Sequence, residues 1–190
     1  PSSAAFPVVA ALLVPGSDII VENVGINPTR AGLFTILQQM GGDINFENQR
    51  IVGGEPVADI HVKHSKLTGI SVPADIAPSM IDEFPILFVA AALADGQTTT
   101  KRLSQMAQGL GLLGVDVTEK EDGLVITGSG GKLLAGSTEK IAIQTALDHR
   151  IAMSFAVAGL VTNSGLAIDD ITPVQTSFPG FEILMTTLAS

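Results

Sequence analysis

The 190-residue chain contains no cysteine. That removes disulfide scaffolds, thiolate metal sites and thiol nucleophiles together, leaving carboxylate, His, Lys and Arg chemistry. Basic residues are few: 10 Lys and Arg stand against 19 Asp and Glu, for a net charge of −9. No cluster of them is interleaved with aromatics, so a nucleic-acid groove of the usual electrostatic kind is not expected and any bound anion has to be held locally. Although 46% of the residues are hydrophobic, no apolar run reaches the roughly 20 residues needed to cross a bilayer, and Pro15 interrupts the first candidate. The opening "PSSAAFPVVAALLVPG" has neither the basic leader of a secretory signal nor the Arg-rich character of a transit peptide, and reads as core. A soluble single domain spanning 1–190 is expected. A chain that starts on Pro-Ser-Ser and passes at once into a buried helix also reads as a piece of something longer.

What is present is a pattern used about three times. Polar residues lead into an apolar helix rich in small residues, which ends near a glycine and is followed by a β-favouring run. The three segments are "SSAAFPVVAALLVPGSDIIVENV", "IDEFPILFVAAALADGQTTT" and "DHRIAMSFAVAGLVTNSGLAIDD". Ser2 lies 14 residues before Gly16, Asp82 lies 14 before Gly96, and His149 lies 16 before Gly165. A second, amphipathic helix follows each: Leu33, Ile36, Leu37 and Met40 share a face, as do Leu103, Met106, Leu110 and Leu113, and then Phe181, Leu184 and Leu188. Gly41-Gly42 and Gly114 suit helix C-termini, after which strand, turn and strand are expected, with Glu121-Asp122-Gly123 as the second hairpin turn.

The predicted unit is β-α-β-α-β-β in an α/β (α+β) fold, with the apolar helices buried together and parallel and the sheets outside. The third copy stops after its second helix, leaving its strands to come from elsewhere in a parent chain. Parallel helices bring their N-termini to one end, where unpaired N–H groups and helix dipoles favour anions. Ser2, Asp82 and His149-Arg150 are expected there.

The repeat also exposes an irregularity. Phe6 to Gly41 spans 35 residues, but Phe84 to the matching Gly114 spans only 30. In "QTTTKRLSQMAQGL" a β-branched strand enters a helix with no Gly, Pro, Asn or Asp between them. A segment between Thr100 and Leu103 is expected to be missing.

These residues resemble the 5-enolpyruvylshikimate-3-phosphate synthases, in the bacterial class called class II or glyphosate-tolerant. The resemblance covers the whole chain and rests on "PSSAAFPVVAALLVPGS", "NPTRAG", "APSMIDEFPILFVAAALADG", "LDHRIAMSF" and "TSFPGFE". It implies the inside-out fold of enolpyruvyl transferases, with this chain as the C-terminal domain and an N-terminal domain as its missing partner. It also implies a cytoplasmic enzyme with no metal or organic cofactor. The implied reaction moves the enolpyruvyl group of phosphoenolpyruvate to the 5-hydroxyl of shikimate 3-phosphate and releases phosphate.

By the family motif, Asp82 corresponds to the acid that contacts the acceptor hydroxyls and takes the proton, where the bland alternative is a helix cap. Arg150 corresponds to a phosphoenolpyruvate-binding arginine, suited to bidentate contact. His149 would donate to phosphate or take part in proton transfer, while Asp148 caps the helix. Family members carry a loop ending in Val-Lys-Glu-Ser-Asp-Arg where this chain runs short. If the gap falls between Lys101 and Arg102, then Arg102 is the surviving phosphoenolpyruvate-binding Arg and the motif's Glu is absent. Gln175-Thr176-Ser177-Phe178-Pro179 lacks the Lys that some members place before the last Phe-Pro, and Ser177 reads as a helix cap.

Two further signals have plain readings. His61-Val62-Lys63-His64 sits in an alternating strand without a nearby third ligand and reads as surface rather than a metal pair. Gly128-Ser129-Gly130-Gly131 lacks the Lys-Ser/Thr of a phosphate loop and reads as a flexible link. Competing functional readings are a UDP-N-acetylglucosamine enolpyruvyl transferase, of shared architecture, and a non-catalytic association module.

Overall fold

The computed structural model describes residues 2–101, 105–135 and 142–189. In chain order the elements are α1 (Ser2–Leu13), β1 (Asp18–Gly25), α2 (Gly32–Gln39), β2 (Asp43–Val52) and β3 (Glu55–Lys63). A 3-10 segment (Ala77–Glu83) then runs into α3 (Phe84–Leu93), followed by β4 (Gln97–Thr100), α4 (Met106–Leu112), β5 (Asp116–Lys120) and β6 (Gly123–Thr127). The last part holds β7 (Ala142–Ile143), α5 (His149–Gly159), β8 (Ala167–Ile168), α6 (Thr172–Ser177) and α7 (Phe181–Ala189).

The helices α1, α3 and α5 pack on one another at the centre. Burial explains their composition: α1 is buried from Ala4 to Leu13, and α3 at Phe84 and from Ile86 to Leu93, so neither has a wet face on which to place polar residues. Each is released into its strand by a glycine with positive φ, +82° at Gly16, +85° at Gly96 and +69° at Gly165, a conformation that costs a residue with a Cβ. The shared geometry at these three glycines is the structural counterpart of the spacing in the sequence.

The amphipathic helices lie outside this centre, with Leu33, Ile36, Leu37 and Met40 buried on and just after α2 and Met106, Leu110 and Leu113 buried on and just after α4. On α7 the buried residues are Phe181 and Met185, while Leu184 and Leu188 are only partly covered. Leu103 lies outside the described residues. The short α6, which the sequence pattern did not indicate, intervenes before α7.

Two antiparallel sheets have the orders β1-β3-β2 and β4-β6-β5, and β7 pairs in parallel with β8. The leading strand of the repeat is present as parallel bridges, Thr68 to Asp95 and Ser71 to Thr99 beside β4, and Leu134 to Thr162 in the third unit. In the first sheet, Asp59 on β3 receives a hydrogen bond from the Asn23 N–H at 2.9 Å and one from the Asn48 side chain at 3.0 Å, and pairs with Arg50 at 3.1 Å. Asn23 and Asn48 each sit at a register shift with positive φ, so one carboxylate anchors a bulge in both neighbouring strands.

Two expectations change. The hairpin between β5 and β6 turns on Glu121-Asp122 alone, and Gly123 already belongs to β6. "GSGG" is not a free link: the N–H groups of Ser129, Gly130 and Gly131 donate to the carbonyls of Ala92, Ala94 and Leu93 at 2.7–3.0 Å. Those carbonyls end α3 without partners of their own, so the segment serves as a C-terminal cap. A Cβ at Gly128 would stand 2.0 Å from the Ala94 oxygen, so the close approach requires glycine there.

Candidate anion-binding site

The starts of the three central helices meet at one end of the molecule. Ser2 and Ser3 from α1, Asp82 from just before α3, and His149 and Arg150 from α5 line a single cleft, with Phe6 and Met153 beneath them and Ser177 at its rim. This is the clustering expected from parallel helices.

Asp82 is not a helix cap. The residue preceding α3 is Glu83, and no side chain caps that helix. Pro85 at the second helical position lacks an N–H, which reduces the need for a cap. The Asp82 carboxylate instead reaches across to α5, where its Oδ2 lies 3.3 Å from Arg150 Nη2. Glu83, only 8% exposed, points the other way and accepts a hydrogen bond from Ser2 Oγ at 2.5 Å. Adjacent acids thus tie the start of α3 to both neighbouring helices.

Arg150 is held from below. Asp148 is the N-cap of α5, its carboxylate accepting from the N–H of Arg150 at 2.8 Å and of Ile151 at 3.3 Å. This is the geometry expected of a capping Asp. Ser154 Oγ donates to the Arg150 carbonyl at 2.7 Å. The loop before Asp148 is fastened by Thr145, whose buried hydroxyl donates to Asp169 Oδ1 at 2.7 Å. That bond, with the Thr145 and Asp170 N–H groups, holds the Asp169 carboxyl below its usual range. Between clasp and cap, Ala146 and Leu147 are both left-handed, with φ of +52° and +62°. Consecutive non-glycine residues in that region store strain directly beside the site.

The sequence pattern did not single out Glu83, Thr145, Asp169 or this loop. The usable signals were the doubled acid in "IDEFP", of which only one member can face a cleft, and the run of charged residues in "LDHR". Ser177 is not an N-cap: it ends α6, and α7 begins at Phe181. Lys101 is exposed. Arg102 lies outside the described residues.

Neither histidine near β3 forms a metal pair. His61 is clamped between Asp18, with Nε2 to Oδ1 at 2.6 Å, and Glu47, with Nδ1 to Oε1 at 3.0 Å. These two carboxylates push its pKa up despite partial desolvation. His64 Nδ1 instead faces the Leu12 carbonyl at 2.9 Å.

The cleft itself is small, about 70 Å³. Small-molecule sites usually enclose roughly 300–1,000 Å³, so these residues form one wall of a site. A larger hollow of about 530 Å³ lies between β1 and α7, but its lining is mainly apolar and includes none of Asp82, His149 or Arg150. Asp82, His149 and Arg150 line the smaller cleft.

Comparison with known proteins agrees with this architecture. Residues 1–185 match the family model of EPSP synthase (3-phosphoshikimate 1-carboxyvinyltransferase). A 3-phosphoshikimate 1-carboxyvinyltransferase from Zymomonas mobilis is 57% identical over 201 residues, covering 100% of this chain and 44% of the relative. One from Novosphingobium aromaticivorans is 57% identical over 196 residues, covering 97% of this chain and 44% of the relative. The solved EPSP synthase from Acinetobacter baumannii superposes with a TM-score of 0.90 at 48% identity, over 98% of this chain and 44% of that one. At 17% identity, the enolpyruvyl transferase NikO from Streptomyces tendae shares the fold, with a TM-score of 0.76 over 98% of this chain and 42% of that one. The chain thus spans less than half the length of these relatives. It belongs to the EPSP synthase (3-phosphoshikimate 1-carboxyvinyltransferase) family.

Proposed function

We propose that this chain is the C-terminal half of an enzyme that transfers the enolpyruvyl group of phosphoenolpyruvate to the 5-hydroxyl of shikimate 3-phosphate, releasing phosphate. The observation that carries the reading is the Asp82–Arg150 pair, an acid and a guanidinium 3.3 Å apart where three helix starts converge. In this reading Arg150 holds the carboxylate or phosphate of phosphoenolpyruvate through paired N–H donors. Asp82 receives the proton of the acceptor hydroxyl as the hydroxyl oxygen bonds to C2 of phosphoenolpyruvate, while an acid of the completed site gives a proton to the methylene carbon and later takes one back. Loss of a methyl proton and cleavage of the C2–O bond to phosphate then complete the transfer. His149, half-buried on the same wall, donates to the departing phosphate or relays a proton.

The 70 Å³ cleft cannot enclose two phosphorylated substrates, which supports a site completed by an N-terminal domain. The matched span of 201 residues in the Zymomonas mobilis comparison exceeds the 190 of this chain by 11, which is in keeping with a shortened segment somewhere in the chain, and the break in the repeat puts it near 100–103. Arg102, at that junction, is assigned to phosphoenolpyruvate. The motifs "LDHRIAMSF" and "MIDEFP" favour shikimate 3-phosphate over UDP-N-acetylglucosamine as acceptor, and class II membership is part of the proposal.

The test joins this chain to the N-terminal domain of a relative, restores the segment after Lys101, and measures phosphate release. Release that requires both phosphoenolpyruvate and shikimate 3-phosphate is expected. Release with UDP-N-acetylglucosamine as acceptor, or none at all, refutes the assignment. Adding glyphosate to the same assay tests the class, since a class II enzyme keeps its turnover.

A further inference from the structure

We infer that Asp82 is a built-in competitor for the anion that Arg150 binds, so that a ligand carboxylate or phosphate displaces an internal carboxylate instead of filling an idle cation site. The inference rests on the role given to Arg150 above.

The contact has the properties of an exchangeable pair. The Asp82 and Arg150 side chains are 44% and 36% exposed, so water can solvate either group as the pair opens and little desolvation resists the exchange. The backbones carrying them are anchored. Glu83 is pinned to Ser2 at 2.5 Å, and the Arg150 and Ile151 N–H groups are pinned by Asp148. Exchange therefore requires only side-chain torsions at the tips, while the three helix starts stay in place.

The exchange couples two binding events. An anion that takes Arg150 leaves both Asp82 oxygens open toward the cleft, where an acceptor hydroxyl can meet them. A hydroxyl that engages Asp82 weakens its hold on Arg150 in turn. By linkage the two ligands assist each other by the same factor, whichever binds first. Until an anion binds, the Arg150 guanidinium and the Asp82 carboxylate neutralise one another in a protein whose net charge is −9.

The experiment titrates inorganic phosphate, and separately phosphoenolpyruvate, into the 190-residue chain at low ionic strength, following heat and the Arg150 side-chain NMR signal. Asp82→Asn keeps the shape of the side chain and removes the competitor. It is expected to tighten anion binding about three- to tenfold, with the gain shrinking as salt is added. Asp82→Ser serves as a second variant of the same sign, each checked for native circular dichroism. Asp116→Asn, which removes one negative charge from an exposed position on β5, should leave affinity within about twofold.

Unchanged or weaker binding in Asp82→Asn overturns the inference. So does equal tightening in Asp116→Asn, which would make the effect one of net charge, or the absence of saturable binding in every variant. If Asp82→Asn binds more tightly but the completed protein releases no phosphate with shikimate 3-phosphate, the exchange stands and the assigned reaction falls. If Arg150→Gln binds the anion as well as the parent, the exchange falls while the reaction remains open to its own assay.

Discussion

Gly109 on α4 lies against Phe155 of α5, and replacing it with alanine tests how tightly the helix carrying Arg150 is seated. A Cβ at position 109 would stand 2.2 Å from Phe155 Cζ, and 2.9 and 3.0 Å from two further ring carbons. Carbon atoms pack comfortably at about 3.5–4.0 Å, so the ring must retreat by roughly 1.5 Å. Phe155 is 1% exposed and has no open side into which to retreat. Overpacking of this kind costs about 1–3 kcal/mol, and replacing a helical glycine by alanine returns about 0.8–1 kcal/mol. An overlap this deep belongs at the upper end of that range, about 2–3 kcal/mol, so the net expectation is a loss of about 1–2 kcal/mol for Gly109→Ala, or a fall of about 2–8 °C in Tm for a domain of this size.

Urea unfolding followed by circular dichroism measures this loss directly. Phe155→Leu frees space at the contact, so the double variant should lose less than the sum of the two single losses, with a coupling of about 0.5 kcal/mol or more. A Gly109→Ala protein as stable as its parent, or strict additivity in the cycle, refutes the claim that ring and glycine are jammed together.

Removing the α5 cap by Asp148→Ala should cost about 1 kcal/mol in urea unfolding and also weaken phosphate binding at Arg150, because the Arg150 N–H loses its anchor; intact stability would count against the cap. Leu147→Gly should be neutral or raise stability by up to about 1 kcal/mol, since Leu147 has φ +62° and is 68% exposed; a large loss in thermal unfolding would mean that its side chain packs. The raised pKa of His61 means that its charged form is favoured on folding by Asp18 and Glu47, with Lys63, 3.7 Å from Asp18, the nearby cation. That stabilisation is complete below the unfolded pKa near 6.5 and is lost as pH rises through the higher folded value. The urea midpoint should therefore fall from pH 6 toward alkaline pH in the parent, and His61→Gln should flatten that slope. Asp59, held down to about 2 chiefly by the Asn23 N–H, stabilises above its unfolded value of 3.8 and loses that effect as pH falls toward 2; Asp59→Asn should remove this part of the acid transition.

The repeat was legible because helix length can be counted back from a glycine, and Gly16, Gly96 and Gly165 do adopt the same left-handed release. Counting from those points leads to Ser2, Asp82 and His149, which is why the wall of the cleft could be assembled from spacing alone. The direction of each side chain was not legible. Neighbouring acids in "IDEFP" have equal claims to a cap or a cleft until the path of the chain before α3 is known, and the 3-10 segment turns Asp82 outward and Glu83 inward. "GSGG" failed as a flexible link for a related reason: its partners are the ends of α3, some 35 residues earlier in the chain, and local composition carries no trace of them. The left-handed Ala146 and Leu147 were equally silent, since neither residue type signals positive φ.

A threefold scaffold supplies equivalent positions and leaves their chemistry free to differ. The three helix starts could all have carried neutral caps. Instead they carry a hydroxyl at Ser2, two acids at Asp82-Glu83 and bases at His149-Arg150, and the acids sit on the helix between the other two in sequence. Each acid therefore has a complementary neighbour, with the buried Glu83 accepting from Ser2 in a part-buried contact and Asp82 meeting Arg150 in a more exposed one. The less exposed contact fixes geometry because water competes for it poorly, and the more exposed pair is the one that water can open. Reversing the two assignments would bury the ion pair, where breaking it to admit an anion would strand a desolvated charge. The order Asp-Glu, with the outward residue first, is thus the one that lets a rigid three-helix core present a guanidinium able to change partners.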